Sequence, residues 1–164
     1  MTRREFVGRV VTVPSVLMAA GLCASRAEAE MATTETFEIT KTDAEWRTIL
    51  TPEQFRVLRK HGTERAGTSP LDKQYARGTF TCAGCDLALF TSDTKFDSGT
   101  GWPSFWAPID GAIRTTTDRS LFMSRTETHC RRCGGHLGHM FDDGPKPTGL
   151  RYCMNGAALK FLPD

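Results

Sequence analysis

No stretch of this chain is apolar for long enough to cross a membrane. The leading candidate, Val10 to Ala24, is about 15 residues and holds Pro14, against the roughly 20 residues that a spanning helix needs. Net charge is also missing where it would matter. The formal charge is +2, but residues 1–29 hold four Lys/Arg against two Asp/Glu, and the signs balance at 17 each from residue 30 onward. A neutral body excludes the broad basic surface of a nucleic-acid binder and leaves room only for local patches. Internal repeats are missing apart from one doubled Cys-x-x-Cys, and 164 residues are too few for two domains of ordinary size. What remains is the composition of one soluble globular domain behind a short basic leader.

The leader reads as an export signal covering residues 1–29, with the domain proper at 30–164. Arg3-Arg4 precede an apolar run, and Ala27-Glu28-Ala29 offers small residues where a signal peptidase cuts. The paired arginines resemble a twin-arginine signal, an address read by a receptor rather than an anchor. The expectation is a periplasmic or otherwise exported protein with no membrane attachment after cleavage. Cys23 leaves with the leader on this reading, because Leu22 stands where a lipoprotein signal wants a small residue.

Two helix starts follow. Thr42-Asp43-Ala44-Glu45 and Thr51-Pro52-Glu53-Gln54 each pair a hydroxyl N-cap with Glu or Gln three residues on, and Gly62 is placed to stop the second helix. From Thr79 the texture changes to short β-branched and aromatic runs divided by turns: 79–81, 87–90, 104–106, 112–117, 121–126, 136–141 and 151–161, with a hairpin turn at Asp118-Arg119-Ser120. The fold class is therefore mainly β, an antiparallel sheet domain with one or two short N-terminal helices.

Six cysteines carry the chemistry. Cys82-x-x-Cys85 and Cys130-x-x-Cys133 have the spacing of two knuckles that close one tetrahedral four-sulfur site, with Gly84 and Gly134-Gly135 as permissive backbone. Four thiolates favour structural Zn2+, or iron after it. Two disulfides, or two redox-active pairs, are the other readings of the same residues. Zinc in an exported protein requires loading before the thiols meet an oxidising compartment, which a folded-protein export route would allow.

Cys153 has no partner at such spacing. Arg151 and Asn155 lie two residues to either side, so an extended strand would put both on its face and favour the thiolate; a buried inert thiol is the plainer alternative. His136 and His139 bracket Gly138 and suit metal ligation, core packing or proton donation, the last gaining weight beside a nucleophile. Asp142-Asp143-Gly144-Pro145 is an acidic turn able to orient one imidazole.

Gly101-Trp102-Pro103-Ser104-Phe105, Cys130-x-x-Cys133-Gly134-Gly135-His136-Leu137-Gly138-His139 and Arg151-Tyr152-Cys153-Met154-Asn155 resemble the B-type methionine sulfoxide reductases. The likeness runs from about Trp46 to Phe161 and includes Gly62-Thr63-Glu64-Arg65. It implies an antiparallel β fold, reduction of methionine-R-sulfoxide, and structural zinc on Cys82, Cys85, Cys130 and Cys133. It makes Cys153 the nucleophile, and His136, His139 and Asn155 proton donor and water or oxygen positioners. Asp143 becomes a supporting carboxylate, Arg151 a neighbour on the catalytic strand, and Trp102 a wall of the methyl pocket. The partners implied are oxidised methionine residues and a thiol reductant.

The chain departs from the family pattern at Thr100, where many members carry a resolving cysteine, and at Met140, Met154 and Gly156. With four cysteines committed to metal, no thiol is left to pair with Cys153. The expectation is a one-cysteine cycle rescued by an external thiol. A zinc-ribbon binding module and a thiol peroxidase are the rival functions.

Overall fold

Two short helices come first, each started by a local hydrogen-bond pattern. The computed structural model describes residues 36–119 and 124–164. In α1 (Asp43–Ile49) the Thr42 hydroxyl accepts from Glu45 N at 3.3 Å, and the Glu45 carboxylate accepts from Thr42 N at 2.7 Å. In α2 (Pro52–Lys60) Thr51 and Gln54 make the same reciprocal pair at 3.2 and 3.0 Å. Both are capping boxes, as the sequence indicates.

The stop of α2 differs from expectation. His61, not Gly62, takes the left-handed conformation, with φ 53°. Gly62 is required for closeness instead: a Cβ there would stand 2.9 Å from the Arg56 carbonyl oxygen, which accepts from Gly62 N at 3.0 Å.

The strands form two antiparallel sheets. One has the order β2-β1-β9, from β1 (Gly78–Cys82), β2 (Ala88–Thr91) and β9 (Leu159–Pro163). The other has the order β3-β4-β8-β7-β6-β5, from β3 (Lys95–Phe96), β4 (Ser104–Phe105), β5 (Ile113–Asp118), β6 (Arg125–Cys130), β7 (His136–Phe141) and β8 (Arg151–Met154). Trp46, Phe55, Val57 and Leu58 of the helices are buried in one core with Phe80, Phe90, Phe105, Leu137 and Met154 from the sheets. Phe90 stacks on Phe105 at 4.2 Å between ring centroids, at the near-parallel angle of 16°. Among the described residues no helix is long and apolar enough to cross a membrane. The leader, the boundary at residue 29 and Cys23 lie outside the described residues.

Two strand boundaries are corrected. Of the expected strand 121–126 only Arg125 and Thr126 fall in β6, which continues to Cys130 and pairs with β5 from Asp118↔Arg125 to Ile113↔Cys130. The turn from Cys130 to Cys133 ends it, and residues 120–123, with Ser120 of the expected turn, lie outside the described residues. The run 151–161 is also not one strand. It breaks after Met154, makes a 3-10 turn at Gly156–Ala158, and continues as β9 in the other sheet.

The Glu64 carboxylate causes that break. It accepts from Gly156 N at 2.6 Å and Ala157 N at 2.8 Å, so these amides are satisfied by a side chain instead of a neighbouring strand. Burial pushes the Glu64 carboxyl up, and its two backbone donors oppose that only in part. Ser69 packs into the same joint, and a Cβ on Gly156 would lie 1.9 Å from its Oγ and 2.4 Å from its Cβ. Gly156→Ser is therefore expected to cost about 1–3 kcal/mol of stability through overpacking. It should be read as a lower denaturation midpoint, and adding Ser69→Gly should recover most of it.

Candidate active site

Register places the chemistry in one row across the larger sheet. Glu127 of β6 lies opposite His139 of β7, His139 opposite Cys153 of β8, and Cys153 opposite Ser104 of β4. Directly opposed residues share a face, with Cβ atoms about 4.5–5.5 Å apart. Gly138 makes the close packing possible, since a Cβ there would stand 2.1 Å from the Cys153 carbonyl oxygen.

His136 and His139 are three apart, which in a regular strand would put them on opposite faces. A bulge resolves this: between Thr128↔Gly138 and His129↔His136 the register advances one residue on β6 and two on β7. The extra residue is Leu137, which is buried in the core, and the two imidazoles end 5.5 Å apart on one side.

Cys153 opens into a cavity of about 210 Å3 walled by Trp102, Phe141, Met154, His139, Asn155 and Thr63. Trp102 is fixed there by its indole N–H, which donates to the Glu64 carbonyl at 3.2 Å. Cys153 Sγ lies 3.9 Å from Thr100 Oγ1, and Ser98 bridges the Thr100 and Ser104 hydroxyls at 2.8 and 2.7 Å. A chain of hydroxyls thus runs beside the thiol.

The thiolate is not favoured in the free site. Burial pushes the Cys153 thiol up, and Thr100, Arg151 and Ser104 offset only part of that. Arg151 is engaged elsewhere: its Nε and Nη2 donate to the two Asp143 carboxylate oxygens at 2.8 Å each, and its guanidinium lies over Phe141. Asn155 is committed too, with Oδ1 accepting from Glu64 N at 2.9 Å and Nδ2 donating to Leu137 O at 3.1 Å. Its amide shapes the wall of the cavity, and β8 ends before reaching it.

The histidines are oriented by carboxylates that the acidic turn does not supply. His136 Nδ1 lies 2.6 Å from Glu127 Oε1, and His139 Nε2 lies 3.0 Å from Asp118 Oδ2, which also holds Arg125 at 2.7 Å. Asp143 serves Arg151 instead. Glu127, Asp118 and Arg125 are the functional neighbours that local sequence reasoning missed. Their only signal is the pairing of β5, β6 and β7, which no short motif encodes.

Burial pulls His139 below the ordinary imidazole value despite the Asp118 hydrogen bond. Burial would raise Glu127, but the His136 hydrogen bond and the charges of His136 and His61 bring its carboxyl down to about 2. The folded form thus binds the Glu127 proton more weakly than the unfolded chain does. Its stabilisation is complete above the unfolded carboxyl value of about 4.3 and fades as pH falls toward the folded one. Wild-type protein should accordingly lose more stability than Glu127→Gln between pH 4.5 and 2, as read from denaturation midpoints across that window.

The knuckles converge. Cys82 Sγ lies 3.7 Å from Cys133 Sγ and Cys85 Sγ lies 3.5 Å from Cys130 Sγ, and all four sulfurs are within 4.8 Å of one another. A tetrahedron with metal–sulfur bonds of about 2.3 Å has edges of about 3.8 Å, so the four thiols fit one ion. Hydrogen bonds from the Cys133, Cys82 and Cys85 thiols hold Cys130 far toward thiolate. All four are free cysteines here, not disulfides. Gly134 takes a left-handed turn with φ 67°, whereas in the first knuckle Asp86, with φ 58°, does this and Gly84 does not.

A family model described as the SelR domain matches residues 50–163. The peptide methionine sulfoxide reductase MsrB of Leptospira interrogans is 56% identical over 129 residues, covering 78% of this chain and 98% of that protein. The MsrB of Agrobacterium fabrum is 54% identical over 127 residues, covering 77% and 94%. The chloroplastic peptide methionine sulfoxide reductase B1 of Arabidopsis thaliana is 54% identical over 117 residues, covering 71% of this chain and 58% of that protein. The SelR match spans the strands that carry Cys153, both histidines and all four knuckle cysteines, and with the likeness to these reductases it shows that the chain belongs to the MsrB (SelR-domain) family of oxidoreductases.

Proposed function

We propose that the protein reduces peptide-bound methionine-R-sulfoxide through a sulfenic acid on Cys153. The observation that carries this reading is the face-to-face pair His139 and Cys153 on β7 and β8, opening into the cavity with Trp102. The sulfoxide sulfur meets the Cys153 sulfur while its oxygen faces an imidazole that can take the thiol proton and pass it to that oxygen. As the new sulfur–oxygen bond forms, the old one breaks. The thiol becomes sulfenic acid, the sulfoxide becomes thioether, and no external electron is needed in this step. Two equivalents of an external thiol then return Cys153 to thiol and release water and a disulfide.

His139 is the nearer proton donor by register, held by Asp118, with His136 behind it on Glu127. Asn155 and Trp102 shape the cavity, and the Arg151–Asp143 pair lies against its Phe141 wall. His139→Gln is expected to lower turnover about a hundred- to ten-thousandfold while leaving the fold intact, as measured by steady-state kinetics and denaturation. Cys82, Cys85, Cys130 and Cys133 would hold structural Zn2+, whose role is to fix the scaffold. Export by the leader, and repair of oxidised exported proteins, follow from residues 1–29 alone and would be tested by N-terminal sequencing of the secreted form.

The functional test offers a methionine peptide as each pure sulfoxide epimer, and hydrogen peroxide, to the zinc-loaded protein with dithiothreitol. The expected result is turnover of the R epimer with at least about a hundredfold preference, from a methyl pocket and a fixed proton donor acting together. Equal use of the epimers, or turnover of peroxide alone, would reject the reading, and no turnover would favour a binding module.

A further inference from the structure

On the outer side of the catalytic row, a second cavity of about 390 Å3 is lined by His61, Glu127, His136 and His139 among others. Three of these present ligand atoms within 4.8 Å of one another, with Glu127 Oε1 at 2.8 Å from His61 Nδ1 and 2.6 Å from His136 Nδ1. From this convergence we propose that His61, Glu127 and His136 form a second metal site, for one divalent transition cation of the zinc–nickel–cobalt–copper class.

The donor set selects that class. Two imidazoles and one carboxylate suit these ions, whereas calcium and magnesium prefer all-oxygen shells. Three protein ligands also leave a position open to water from the cavity. The site has a fixed wall and a movable one. His136 is only 2% exposed, and its Nε2 has no hydrogen-bond partner among the described residues. Glu127 is 14% exposed at its side chain, and His61 is 66% exposed.

His61 is also a backbone outlier, a histidine at φ 53° directly before a glycine that could have taken that conformation. In that conformation, as the C-cap of α2, its ring reaches Glu127 across the fold. The donors stand closer together than the roughly 3.3 Å edges of a tetrahedron with bonds of about 2.0 Å. A cation would therefore widen the His61–Glu127 distance by about 0.5 Å, which the exposed His61 ring can supply, and the Glu127–His136 distance by about 0.7 Å, which needs the Glu127 side chain to move, and it would displace the protons now shared with Glu127.

One consequence rests on the reading given under Proposed function. An ion there engages Glu127 and His136 and slows the reductase, reversibly on chelation of the weaker-bound metal. Binding itself does not depend on that reading and is measured separately.

The test titrates the full zinc-loaded protein with Ni2+ by calorimetry and with Co2+ by NMR of the histidine side chains. The proposal expects one further equivalent bound, with Co2+ shifts confined to His61, His136 and their neighbours. His61→Ala and Glu127→Gln should each weaken binding at least about tenfold, a loss that even an outer hydrogen bond to a ligand can cause. No uptake at millimolar Ni2+, or uptake unchanged in both variants, would overturn it. So would Co2+ entering only the knuckle, seen as thiolate charge-transfer absorption with release of zinc. Binding without inhibition would leave the site standing and count against the role given to His136.

Discussion

Cys153→Ser is expected to abolish sulfoxide reduction, by at least about a thousandfold as measured losses of enzyme nucleophiles run, while the protein folds normally. The chemistry leaves no fallback. Oxygen passes from the substrate sulfur to the Cys153 sulfur, and a serine hydroxyl in that place would have to become a hydroperoxide. The fold, by contrast, asks little of this side chain. Cys153 is only partly buried, and the core beneath β8 is made by Tyr152 and Met154. Serine also suits the hydroxyl chain of Thr100, Ser98 and Ser104 around it. Its unfolding free energy should change by less than about 1 kcal/mol, within the ordinary range for a substitution that opens no large cavity. If the variant kept measurable turnover of methionine-R-sulfoxide, another residue would be the oxygen acceptor.

Cys130→Ser should do the opposite and remove the fold together with the activity. Structural zinc in small domains contributes on the order of 10 kcal/mol, comparable with the whole stability of a domain, about 5–15 kcal/mol. The knuckles sit at the junction of the fold. Cys82 ends β1, Cys130 ends β6, and a Cβ on Gly84 would lie 3.7 Å from Cys133 Sγ and 3.6 Å from the Trp46 ring. Arg59 of α2 donates to the Cys133 carbonyl at 3.0 Å, tying the helix to the same turn. Loss of one thiolate therefore uncouples both sheets and α2. The expected outcome is a chain without a cooperative thermal transition at 25 °C, and the same result on stripping zinc from the wild type with a strong chelator. A cooperative transition surviving complete metal removal would show that the cysteine cluster is not what joins the sheets.

The parts of this fold legible in the sequence are those whose causes lie within a few residues. Both helix starts are written in Thr42–Glu45 and Thr51–Gln54, because a capping box closes over three residues. The knuckles are legible for the same reason. The break after Met154 is not, since Arg151 to Phe161 reads as a continuous strand and the residue that bends it, Glu64, is remote in the chain. His61 takes the left-handed position as the C-cap of α2, and its ring partner Glu127 again lies across the fold.

The site divides in the same way. Cys153, the histidines and Trp102 stand in recognisable motifs, and the structure brings His139, Trp102 and Cys153 into one cavity. The carboxylates that orient the imidazoles are Glu127 and Asp118, which depend on strand register and on the bulge at Leu137. Proximity in sequence pointed to Asp142 and Asp143, but the connection from β7 to β8 aims Asp143 at Arg151. The resting thiol is also a matter of burial, which two nearby polar residues in sequence do not reveal.

The most direct test of the account is the mass of the Cys153 peptide after one turnover of zinc-loaded protein with methionine-R-sulfoxide and no reductant. Cys153 is expected to gain one oxygen atom, trapped by a sulfenic-acid reagent, with one methionine released per chain and the knuckle cysteines unchanged. A disulfide joining Cys153 to any other cysteine of the chain, or an unmodified Cys153 beside released methionine, would contradict it.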